Sequence, residues 1–143
     1  MTTKTSIHSI FATDRTLEEN GAWVPINEFR NLAVKIRRSN SDTVVKGLET
    51  LFKEKFSGKS GKAVNFNDLS TDDLLALTTE HMAKYVLIDW KNLTDEDTGK
   101  NIPYSVATAV ELLGVKDFRE FVVQAAEGRA AFKESEDRAV EKN

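Results

Sequence analysis

No cysteine occurs in the chain. That excludes disulfide staples, thiol nucleophiles and thiolate metal sites, and it suits a reducing compartment. Histidine is scarce. His8 and His81 lie far apart, and a zinc helix would repeat the histidine four residues after His81, where Tyr85 stands. No Gly-x-Ser-x-Gly elbow occurs. No window approaches the ~18 consecutive apolar residues of a membrane span. The opening MTTKTSIHSIF carries one lysine and no apolar run of signal-peptide length. A basic excess is missing too: net charge is -3 and the pI about 5.5, which argues against a dedicated nucleic-acid binder. These absences point to a soluble protein of the cytoplasm.

What is present is ordinary for a globular domain. At 40% hydrophobic and 30% charged, 143 residues can close one core without staples. The first residues, to Ile7, are polar and expected to fray. Asn20-Gly21 is a turn signal. Pro25 follows in Ala22-Trp23-Val24-Pro25-Ile26, where it forbids a helix interior and confines any strand to a sheet edge. From Phe29 to Arg38, Leu32, Val34 and Ile36 alternate with Ala33, Lys35 and Arg37, although helical spacing also fits. Alternation beside Trp-Val-Pro-Ile favours a small two-stranded ribbon, marginal unless helices cover it.

Helical patterns dominate the rest. Val44, Leu48 and Phe52, flanked by Val45, Leu51 and Phe56, predict an amphipathic helix over 41–56. Gly58 to Lys62 reads as a flexible loop. Ser70, with Asp73 three residues on, reads as a cap, and the apolar run from Leu74 to Ile88 predicts a helix continuing to about Trp90. Its apolar residues surround much of the circumference, as in a central core helix or one covered by a partner. Ser105 should cap a helix over 106–113 that Gly114 ends, and Asp117 to Glu120 shows capping-box spacing for another. The expected fold is mainly α: a compact bundle of about four to five helices, with room for a small N-terminal β-ribbon. Residues 1–128 form the single domain, and 129–143 read as a charged, mobile tail.

Chemical motifs fail on inspection. Gly58-Lys59-Ser60 resembles the end of a phosphate loop, but that pattern needs glycine at position 53, where Lys53 stands. Asp95 to Asn101 resembles a calcium loop. Counted from Asp95, however, Gly99 is fifth instead of sixth and the twelfth residue is Val106 instead of glutamate. Lys35, Arg37 and Arg38 could meet phosphates. In an acidic chain they read more simply as a charged strand edge that discourages edge pairing. No catalytic, cofactor-binding or metal-ligating residue is assigned, and an enzyme is not expected. Trp23, Trp90 and Tyr104 flank turns. With Phe29 and Tyr85 they are the candidates for contact with a partner protein.

The segment order resembles the tail assembly chaperones of long-tailed, siphovirus-type bacteriophages. The carrying residues are Asp14–Ile26 (DRTLEENGAWVPI), Phe29–Arg38 with Asn40, His81–Trp90 (HMAKYVLIDW), Leu93-Thr94-Asp95, Ile102-Pro103-Tyr104-Ser105 and Phe118–Val122 (FREFV). Together they span roughly residues 11 to 126. The resemblance implies a non-enzymatic protein of the host bacterial cytoplasm. Such a protein binds the long helical tape measure protein, keeps it soluble, helps recruit tail tube subunits and is absent from the finished virion. It also implies weak self-association and no cofactor, while charge and hydropathy leave nucleic acid and membrane unexpected as partners. The competing reading is a small cytoplasmic binding protein of another kind, immunity- or antitoxin-like, or a virion connector component.

Overall fold

The computed structural model of the chain describes residues 3, 5–28, 30–56 and 65–134. Phe29, the Gly58-to-Lys62 loop and residues 135–143 of the expected tail lie outside the described residues. In chain order the helices are α1 (Ser6–Ile10), α2 (Arg15–Asn20), α3 (Asp42–Phe56), α4 (Thr71–His81), α5 (Val106–Leu112) and α6 (Lys116–Glu127). The strands are β1 (Ala22–Asn27), β2 (Leu32–Ile36) and β3 (Leu87–Lys91), paired antiparallel in the order β1-β2-β3. The architecture is therefore a mixed α/β layer, not a helical bundle with an optional ribbon.

The third strand comes from a segment whose pattern predicts helix. Helix α4 does not reach Trp90. It stops at His81, passes through a π-helical turn over Met82–Val86 and becomes strand β3. No glycine or proline marks this break. Side chains remote in sequence capture the backbone that it frees. The Tyr104 hydroxyl lies 2.7 Å from the Ala83 carbonyl and 3.0 Å from that of Leu87, close enough to donate to either. Arg37 donates from Nη1 to the Tyr85 carbonyl and from its backbone N–H to that of Val86. Apolar residues all round the 82–90 stretch thus reflect a change of period, with Leu87 and Trp90 buried in a strand that closes the sheet.

The other elements follow local rules. Asp14 caps α2 by accepting from the N–H groups of Thr16 and Leu17. Gly21, at φ +98°, turns the chain from α2 into β1, where a side chain would also strike Ile88. β1 lies at a sheet edge, as Pro25 requires. Ser70 and Ser105 cap α4 and α5 by accepting from Asp73 and Thr108 N–H. Helix α6 begins at Lys116, so Asp117 sits inside its first turn, where its charge suits the helix dipole, and does not cap it.

Helices α5 and α6 cover one face of the sheet. Val34, Ile36, Leu87 and Trp90 share one buried cluster with Ala109, Leu113, Val122 and Ala126. Helices α3 and α4 pack together at the π turn. Gly47 lets the Tyr85 ring lie against α3, since a β-carbon there would meet the ring at 2.6 Å.

Residues 129–134, read from the sequence as the start of the tail, belong to the fold. Phe132 is fully buried in a 3-10 turn over Ala130–Phe132, its carbonyl accepts from Asp14 N–H at 2.7 Å, and Lys133 forms a β-bridge with Thr13. Arg129 reaches the other way, donating to the Ile10 carbonyl and lying over the Phe11 ring.

Glu19 supplies a cap from outside α3. Its carboxylate accepts from Asp42 N–H at 2.8 Å and from Thr43 Oγ1 and N–H. These bonds, first the one from Asp42, hold its pKa below the ordinary glutamate value. A lowered folded-state pKa gives stability that is complete above the unfolded value of about 4.3 and lost as pH falls through the folded one. Glu80, held down by Lys55 and then Lys84, acts in the same direction. We expect Glu19→Gln to cost about 1 kcal/mol at neutral pH, the usual worth of a helix cap. The difference from the parent protein should shrink below pH ~4. Urea titrations across pH measure this, and a constant difference down to pH ~3 would contradict it.

Candidate partner-binding site

The alternating strands give the sheet two chemically distinct faces. Val24, Val34 and Trp90 form one cross-strand row, which turns toward α5 and α6. Where the sheet ends near the β1–β2 turn, those helices leave the row incompletely covered. An apolar recess of about 160 Å³ remains, lined by Ile26, Leu32, Val34, Trp90, Leu93, Leu112, Val115 and Phe118. No polar atom is exposed in its lining and none of its residues is titratable. A cavity of ~150 Å³ lined by apolar side chains holds a benzene ring, so the recess has room for one aromatic or branched aliphatic side chain. Val115 on its rim is 57% exposed and Ile26 39%.

Local structure explains why the recess stays open. Gly114 breaks the chain between α5 and α6, with its N–H bonded to the Glu111 carbonyl, and leaves Val115 at the corner. Opposite, a register shift between Pro25 and Asn27 carries Ile26 outward. The floor is rigid. Trp90 is 6% exposed, donates from Nε1 to the Ile102 carbonyl at 2.8 Å, and meets the Tyr104 ring edge-on at 4.9 Å. Burial, and then the charge of Asp89, raise the Tyr104 pKa above the ordinary tyrosine value, so its hydroxyl keeps its proton.

Of the five contact candidates, the structure brings Trp90 and Tyr104 together. Trp90 forms the floor of the recess and Tyr104 supports it from behind. Tyr85 packs between Gly47 and His81, whose Nε2 is 2.7 Å from the Val44 carbonyl. Trp23 lies on the opposite face of the sheet, 41% exposed. Phe29 is outside the described residues. Leu32, Leu93, Leu112, Val115 and Phe118 were not among the contact candidates. The available signal was Leu112-Leu113-Gly114-Val115, apolar residues crowded around a helix break.

The basic cluster is divided. Arg37 donates from Nε to the Glu19 carbonyl, in addition to its bonds at the π turn, and Arg38 pairs with Glu18 and covers the Phe132 ring. In the 95–101 turn, the Asp95 carboxylate accepts from Asp97 and Thr98 N–H, serving the turn itself. Among the described residues no three His, Asp or Glu side chains are placed to hold a metal ion, and no helix is long and apolar enough to cross a membrane.

A family model described as YdaY prophage protein matches residues 30–143. The chain belongs to the YdaY prophage protein family. The match begins just before β2 and so takes in most of the sheet, both helices over it and the greater part of the recess lining. It establishes a phage-derived protein. No curated protein gives a match, and no solved structure does.

Proposed function

We propose that this prophage protein is a tail assembly chaperone of the host cytoplasm, acting by binding without catalysis and holding apolar side chains of the tape measure protein in the recess beneath Ile26 and Val115. The observation that carries this reading is the recess: wholly apolar, floored by a buried tryptophan, open to solvent and sized for one side chain. Membership of a prophage family and the resemblance of the segment order to tail assembly chaperones both support it.

The energetics suit a reversible holder. Burying one Leu or Phe contributes about 1.5–3 kcal/mol. That does not offset the several kcal/mol of translational and rotational freedom lost on association. Useful grip on a long helical chain then comes from many copies along a repeating apolar stripe, and tail tube subunits can displace each copy singly.

Co-expression tests the proposal. The wild-type chain should keep tape measure fragments from the same prophage soluble. Val115→Asp, an exposed rim change expected to alter stability by no more than ~0.5 kcal/mol, should abolish this protection. Fragments that aggregate equally with or without the chain, or stay equally soluble with the variant, would rule the proposal out.

A further inference from the structure

The sheet face opposite the recess carries a different chemistry. Trp23, Lys35 and Asp89 form one cross-strand row, and Pro25, Ala33 and Lys91 the next. Both rows point away from the row that α5 and α6 cover. Both lysines reach the Trp23 ring, with Lys91 Nζ 4.9 Å and Lys35 Nζ 5.9 Å from its centroid. A shallow depression runs beside it past Pro25, Asn27 and Ala33.

Both ammonium groups are unspent. Among the described residues neither lysine forms an ion pair. Asp89 stands opposite Lys35 in register, but its carboxylate accepts from Trp90 N–H at 2.8 Å. Two like charges are thus gathered around one half-exposed indole in a chain whose net charge is negative. Cation–π contact at an exposed site contributes little and neutralises nothing. Carboxylates from outside would complete the arrangement, and an apolar side chain between them would cover the indole. Glu28 in the lining of the depression and Asp89 opposite Lys35 disfavour a carboxylate close to either of them.

We propose that this outer face docks an acidic polypeptide segment, with carboxylates at Lys35 and Lys91 flanking an apolar side chain laid on Trp23. Nucleic acid fits less well. Arg37 and Arg38 are bound within the fold, which leaves two cations, and phosphate binding strengthens with the number of charges neutralised. This surface lies on the other side of the sheet from the recess and shares Leu32 with its lining, and the test below reads it through Trp23, which the recess does not include.

The test uses the intact, isotopically labelled protein, whose two tryptophans give two indole N–H signals. The probe is a short synthetic peptide in which glutamates flank one phenylalanine. It should move the Trp23 signal saturably and leave that of Trp90 in place, and binding should weaken as salt is added. K35E/K91E should weaken it by about tenfold or more, K35Q/K91Q by less, while K35R/K91R and V115D retain it. A Trp23 signal unmoved by the peptide would overturn the proposal. So would an equal response to the same peptide with lysines for glutamates, or oligothymidylate that binds there and displaces the acidic peptide.

Discussion

Replacing Phe132 with alanine should destabilise the protein by about 3–5 kcal/mol, the usual range for emptying a fully buried phenylalanine site. The ring is enclosed where α2, β1 and the 130–132 turn meet, with the Arg38 guanidinium over it and its own carbonyl bonded to Asp14. Little can collapse into the space, because Arg38 is held by Glu18 and the backbone on both sides is paired. Domains of this size have about 5–15 kcal/mol of stability in all, so the variant would be marginal at 37 °C. Urea unfolding followed by circular dichroism measures the change. A surface tail residue would shift stability by no more than ~0.5 kcal/mol, and such a result would return residues 129–134 to the tail.

Trp90→Ala should have a comparable effect, about 3–5 kcal/mol, from two separable sources. One is packing, since the indole is the floor of the recess and the edge-on partner of Tyr104. The other is the Ile102 carbonyl, which loses its donor, at a cost of about 1–3 kcal/mol where no water can replace it. Trp90→Phe should retain most of the first and lose the second, so the two variants divide the effect. Trp23→Ala provides the contrast: a half-exposed side chain should shift the urea midpoint far less. If Trp90→Ala unfolds at the same midpoint as the parent, the residue is a free contact surface and the floor of the recess is not rigid.

Much of the fold was legible where the governing interactions are local. The Val44, Leu48, Leu51 and Phe52 stripe located α3 almost to the residue, and Ser70 and Ser105 marked their helix starts because a hydroxyl three residues before an N–H is a self-contained device. Alternation from Leu32 to Ile36 favoured the strand that is β2 over a helix that the spacing also fitted, and Pro25 put β1 at an edge. The third strand was not legible. Its start is set by a hydroxyl from Tyr104 and a guanidinium from Arg37, both remote in sequence, and without a glycine or proline the helical period continues unbroken on paper. Phe132 was hidden for another reason: a lone aromatic in a charged stretch gives no periodicity. The recess was partly visible. Trp90 stood out by its size, but the other walls come from segments scattered between Ile26 and Phe118 that only the folded chain brings together.

Pro25 has a consequence beyond the geometry of β1. Strand rims exposed at high local concentration template one another into runaway fibrils. The pyrrolidine ring offers an incoming strand no amide hydrogen, so lateral zippering between two copies of the chain is disfavoured at that rim.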